Sequence, residues 1–89
     1  MKTVWKFELP LEDYVELLLP KGSIPLSTQL QNSNLKLWCL CNSEEPLRER
    51  RVFRIVGTWH SIEEKNIKFI DTFQMMNGDL EFHVFEILE

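Results

Sequence analysis

The side chains best suited to chemistry in this 89-residue chain are two histidines, two cysteines, three tryptophans and a cluster of arginines. In the stretch RIVGTWHSI an apolar, β-branched run gives way at Gly57 and Thr58, and an indole and an imidazole, Trp59 and His60, follow side by side. Flat faces of this kind can stack on a nucleobase, and Trp38 offers another. Arg48, Arg50, Arg51 and Arg54 fall within seven positions, with Glu49 the only acid among them. Arg51, Arg54 and Lys68 are therefore candidates for holding phosphate while an aromatic face holds a base.

Other chemistries fit less well. Cys39, Cys41, His60 and His83 have the composition of a Cys2His2 zinc set, but structural zinc ligands come in pairs on turns. Here Cys39-Leu40-Cys41 lies inside an apolar run and each histidine is solitary, so no metal is expected. A cysteine nucleophile needs a thiolate beside a base, and the apolar neighbours of both thiols favour the protonated form. On a strand the two cysteines would lie about 6.5–7 Å apart, so a disulfide would distort the backbone. Free thiols in a reducing compartment are expected. Glu44-Glu45 and Glu63-Glu64 read as solvated surface, and three isolated glycines cannot build a phosphate-cradling loop. The expectation is a non-enzymatic protein with no cofactor.

The elements that must position these residues are strands. In TVWKFEL, Thr3, Trp5, Phe7 and Leu9 alternate with Val4, Lys6 and Glu8, and Pro10 ends the run. YVELLL alternates Val15, Leu17 and Leu19 against Tyr14, Glu16 and Leu18, with a short helix over LEDYVELLL as the alternative. IPLSTQLQ and LKLWCLC form a hairpin about NSN. Leu35, Leu37, Cys39 and Cys41 share one face and Trp38 and Leu40 the other, which predicts a strand covered on both sides. NSEEPLRER reads as a loop and VFRIVGTW as a strand. SIEEKN is a polar connection with room for one helical turn capped by Ser61, since Glu64 sits at the capping-box offset. IKFIDTFQMM and DLEFHVFEIL join through Asn77-Gly78, the signature of a two-residue type I′ turn. The fold class is all-β with at most one short helix. It is a small antiparallel meander of six or seven strands, closing as a compact barrel or a sandwich, in a single domain over residues 1–89.

A formal charge of −4 and a pI near 5.2 argue against duplex DNA as a partner. No run approaches the roughly 18 apolar residues of a membrane span, and the start of the chain lacks the apolar core of a signal peptide. A soluble, cytoplasmic protein without a membrane partner is expected. A chain this short buries only about 60–65% of its unfolded surface, so assembly into a homo-oligomer would stabilise it.

MKTVWKFELP, LQNSNLKLWCL, FRIVGTWH and LEFHVFE, in this order over nearly the whole chain, resemble a family of small uncharacterised proteins encoded by phages and prophages. That family shows a VWK-like start, a turn followed by LWAL, a V-G-T-G-H element and a closing HVFE. The chain departs from the pattern at Trp59, where the family has a second glycine, and at Cys39, where it has alanine. Gly57, Thr58, His60, Trp38, His83 and Glu86 stay on it.

The resemblance implies a host-cell setting, in which small acidic proteins without catalytic signatures act stoichiometrically. Two readings follow. In the first the protein is an anti-defence sponge that sequesters a small nucleotide immune signal of the host, with Trp38, Arg51, Arg54, Thr58, Trp59, His60 and His83 as the ligand-binding set. In the second it is a protein-interaction module that inhibits or recruits a host protein through an apolar patch around Phe82, Phe85 and Ile87.

Overall fold

The computed structural model describes residues 1–88. Its strands are β1 (Lys2–Glu8), β2 (Tyr14–Pro20), β3 (Ile24–Gln31), β4 (Asn34–Asn42), β5 (Arg48–Gly57), β6 (Ile67–Met75) and β7 (Leu80–Ile87). All pairings are antiparallel, and they form two sheets, one of order β1-β4-β3 and one of order β2-β5-β7-β6. The shortest dimension of the molecule is 16 Å, the thickness of two sheets packed about 10 Å apart with side chains outside. The structure is therefore a sandwich rather than a closed barrel. It is also not a simple meander, because β1 to β2, β2 to β3 and β4 to β5 change sheets.

Period-two alternation carries the core. Leu35, Leu37, Cys39 and Cys41 of β4 meet Val15 and Leu19 of β2, Phe53 and Ile55 of β5, Phe73 of β6 and Val84 of β7 in one buried cluster. Trp5, Phe7, Leu17 and Phe82 pack against its margin. Burying a ring such as Phe53, which is fully enclosed, contributes about 2–3 kcal/mol. Within LEDYVELLL the chain is a strand from Tyr14 on and not a helix, since its valine and leucine side chains find a flat partner in β5.

One hydrogen bond closes the gap between the sheets. Register shifts between Pro25 and Ser27 in β3, and between Phe69 and Asp71 in β6, bend both strands. Asp71 Oδ2 then accepts from the backbone N–H of Thr28 at 2.9 Å, joining the free edge of β3 to β6.

Four sequence expectations need correction. The outer face of β4, with Lys36, Trp38 and Leu40, is only half-buried, because nothing among the described residues packs over it. Arg48 to Arg50 belong to β5 rather than to the preceding loop, since β2 runs long enough to pair with them. Residues 61–64 form no helical turn; they are irregular and carry the chain back across the sheet to β6, which runs parallel to β5 with β7 between them. Asn77 and Gly78 do form the centre of a turn, with φ of 57° and 92° and Asp79 N–H donating to Met76 O. The first residue pair flanking it is Met75 and Leu80, so the connection spans four residues. The two-residue hairpin is instead at Asn32-Ser33, both at positive φ, between Gln31 and Asn34.

Candidate functional site

Strand β5 ends at Gly57, and the chain reverses in a turn closed by His60 N–H donating to Gly57 O at 3.1 Å. The third position of such a turn takes positive φ and ordinarily holds glycine. Here it is Trp59, at φ 75°, a conformation that costs a residue with a Cβ about 1–2 kcal/mol. The indole recovers nothing by packing, for it is 98% exposed. Gly57 serves differently. A Cβ there would lie 3.8 Å from two carbons of the His60 ring, so the imidazole rests against bare backbone.

Two open depressions flank this corner. One, of about 380 Å³, is bounded by Gly57, Thr58, Trp59, His60 and the β6–β7 connection, with Asp79 and Glu81 on its wall. The other, of about 520 Å³, is bounded by Arg54, Trp59, His60, Ser61, Phe82 and Asp13. Of the residues chosen from the sequence, Arg54, Thr58, Trp59 and His60 are thus brought together.

Beneath the corner lies a polar chain on the outer face of the four-stranded sheet. Thr58 Oγ1 lies 2.6 Å from Glu81 Oε1 and 2.7 Å from His83 Nε2, and Thr72 Oγ1 lies 2.8 Å from His83 Nδ1. A carboxylate only accepts, so the single hydroxyl proton of Thr58 goes to Glu81. His83 Nε2–H then donates to Thr58 Oγ1, and in the neutral imidazole Nδ1 accepts from Thr72. The bond from Thr58, reinforced by the Gln74 amide at 2.9 Å, holds the Glu81 carboxyl below its ordinary pKa. The hydroxyl of Thr58 is consequently fixed as a structural tie rather than poised on a base. His83 touches this tie but borders neither depression.

Arg54 also arrives already partnered. Its guanidinium stacks 4.9 Å above the Tyr14 ring, Nη1 donates to Ile55 O at 2.7 Å, and Nε lies 3.5 Å from Glu64. The Tyr14 hydroxyl donates to the same Glu64 carboxylate, which lowers the Glu64 pKa and raises that of Tyr14. With Asp13, Asp79 and Glu81 around the corner, the site is acidic.

The other three candidates lie elsewhere, Lys68 exposed on β6. Arg51 points between the sheets, where Nη2 donates to Glu86 at 3.0 Å and Nη1 to Glu49 at 2.9 Å. The Glu86 carboxylate is a buried one, 4% exposed. Trp38 stands on the outer face of the opposite sheet. Phe82, expected on an exposed patch, faces inward and stacks on Phe73 at 5.5 Å, while Phe85 packs edge-on against Phe69 on the outer face. Cys39 and Cys41 are free and buried, and burial pushes the Cys39 thiol up to about 12. Among the described residues no group of three or more histidine, cysteine or acidic side chains could hold a metal ion, and no helix is long and apolar enough to cross a membrane.

Sequence reasoning missed Glu81, Asp79 and Asp13. Glu81 could have been found by extending the alternation of β7, which puts it on the face of His83. Its meeting with Thr58 depends on strand order. Residues 1–89 match the family model described as a domain of unknown function (DUF7352). No curated protein and no solved structure matches the chain.

Proposed function

The chain belongs to the DUF7352 family, and on that footing we propose that it is a non-catalytic binding module whose Gly57–His60 corner docks on a protein partner. The observation that carries this reading is Trp59: an indole 98% exposed on a strained backbone. Interfaces draw most of their energy from a few aromatic anchors that insert into a pocket of the partner. A rigid turn keeps the entropy lost on docking small, because the backbone is ordered beforehand. The acidic side chains around the corner, Asp13, Asp79 and Glu81, complement a partner that surrounds its indole pocket with lysine or arginine. The likeness to phage-encoded proteins supports a host protein as that partner.

The test is the Trp59→Gly variant. Glycine accepts φ 75° without strain, so the variant folds at least as stably as the parent. Its affinity for the host protein retained by the parent from a lysate should fall by about 2 kcal/mol or more, roughly thirtyfold. Retention of the same host protein by Trp59→Gly at unchanged affinity would overturn the reading.

The second depression favours an alternative. Trp59, His60 and Arg54 together border about 520 Å³, a volume suited to a small ligand. This supports sequestration of a small nucleotide signal by a homo-oligomer. The pairing of Arg54 with Glu64 weighs against it, since a phosphate would have to displace a carboxylate. Mass spectrometry of what heat releases from protein purified out of signalling host cells separates the readings: a nucleotide supports the sponge, and its absence with a host protein retained supports the docking module.

A further inference from the structure

We infer that the outer face of the three-stranded sheet is a binding platform for single-stranded nucleic acid, with Trp38 as the stacking surface and Lys2, Lys6 and Lys36 as the phosphate contacts. Register places these residues together. Lys6 of β1 stands directly opposite Trp38 of β4, with Ser27 of β3 on its other side, and Lys36 lies one outward step along β4. Lys2 occupies the corresponding outward position at the far end of β1. Trp38 is half-buried, so part of its surface is open.

Charge identifies the occupant. The whole chain carries −4, yet this face presents three lysines against one carboxylate, Glu8, which lies 3.6 Å from Lys36. Lys6 spends its ammonium on a neutral partner, the Gln31 amide oxygen at 2.8 Å, and a phosphate can replace that bond. Two of these cations flank an aromatic face, and exposed Val4 and Ile24 beside Leu40 extend the apolar floor at one end. A strand face about 10 Å wide and 20 Å long accommodates a few nucleotides, with bases on the aromatic and apolar floor and the backbone along the lysines. A second copy of the chain fits worse. Face-to-face association would set lysine against lysine, and Glu8, the only acid on this face among the described residues, is already opposite Lys36. Duplex DNA also fits worse, because its bases are closed to Trp38.

Fluorescence anisotropy of a labelled 15-nucleotide oligothymidylate, titrated with the protein over a range of salt concentrations, tests this. Binding is expected at low salt, with log K falling against log salt at a slope of about −2, since each single-strand phosphate contact contributes about −0.7. Lys6→Gln and Lys36→Gln should each make the slope shallower by about 0.7. Trp38→Leu should lower affinity about fivefold or more. Lys2 and Lys6 are exposed, so their variants remain informative even if Trp38→Leu fails to fold. A duplex of the same length should bind more weakly. No binding at low salt, binding unchanged in the Lys2→Gln, Lys6→Gln, Lys36→Gln triple variant, or equal affinity for duplex would overturn the inference. So would dimerisation through this face, blocked by Ile24→Lys, with no oligonucleotide bound.

Discussion

Strand β5 carries Arg51 and Arg54 three residues apart, and an odd separation on a strand sends them to opposite faces. Arg51 enters the space between the sheets and is held by Glu86 and Glu49. Arg54 lies on the outer face, stacked on Tyr14 and paired with Glu64. The same side chain closes one end of the sandwich from within and braces the crossing segment over the other. At the end held from within the charges are spent on one another. The end braced from outside is where backbone strain and a bare indole are found.

Breaking the inner pair gives the largest expected effect. Glu86→Leu leaves a buried guanidinium with one carboxylate instead of two and should cost about 3 kcal/mol in urea denaturation. Adding Arg51→Met should restore most of that, because two apolar side chains replace two charges in the same space. Arg54→Met, on the outside, should cost about 1 kcal/mol. A loss at Arg54 equal to that at Glu86 would erase the contrast between the two faces.

Trp59→Gly sharpens the comparison in the other direction. Relief of the left-handed strain, less the extra freedom glycine has in the unfolded chain, should raise stability by up to about 1 kcal/mol. Gly57→Ala should move stability by less than about 1 kcal/mol, since its methyl would make only ordinary contacts, at 3.8 Å, with the His60 ring and the Glu81 backbone oxygen. If Gly57→Ala proved the more costly and Trp59→Gly destabilising, the strain would lie in the wrong residue.

Acid should loosen the paired carboxylates on both faces. Glu49, Glu64 and Glu81 all have carboxyl pKa values lowered by folding, Glu81 through Thr58 and Gln74, Glu64 through Tyr14, and Glu49 through the Gly22 N–H. Each contributes stability that is complete above the ordinary carboxylate value of 4.5 and is lost as pH falls through the lower folded value. Melting temperatures should therefore hold steady above that value and drop below it, and Glu81→Gln should remove part of the drop. The smallest effect belongs to the exposed pair Arg50 and Glu16, where Arg50→Gln should change stability by less than about 0.5 kcal/mol.

Much of this was legible along the chain. The alternation of β1 and β4 grouped Leu9 with Trp5 and Phe7, and Leu35, Leu37, Cys39 and Cys41 with one another, each set on a single face, and Asn77-Gly78 marked the last hairpin. At the corner, the stop at Gly57 and the pair Trp59-His60 stood out before any geometry was known. What stayed hidden was which of Arg51 and Arg54 met them. Both are arginines in one apolar strand, and alternation alone does not say which parity faces the core when charged residues occupy both.

The sequence alone determined the all-β class, which residues of β4 share a face and where the hairpin turns fall, because these depend on periods of two and on residues that tolerate positive φ. Tertiary structure decided the rest. Thr58 meets His83 across 25 residues and Arg51 meets Glu86 across 35, and both meetings exist only because β7 inserts between β5 and β6. Strand order is a property of how whole faces pack, and no local pattern of side chains encodes it.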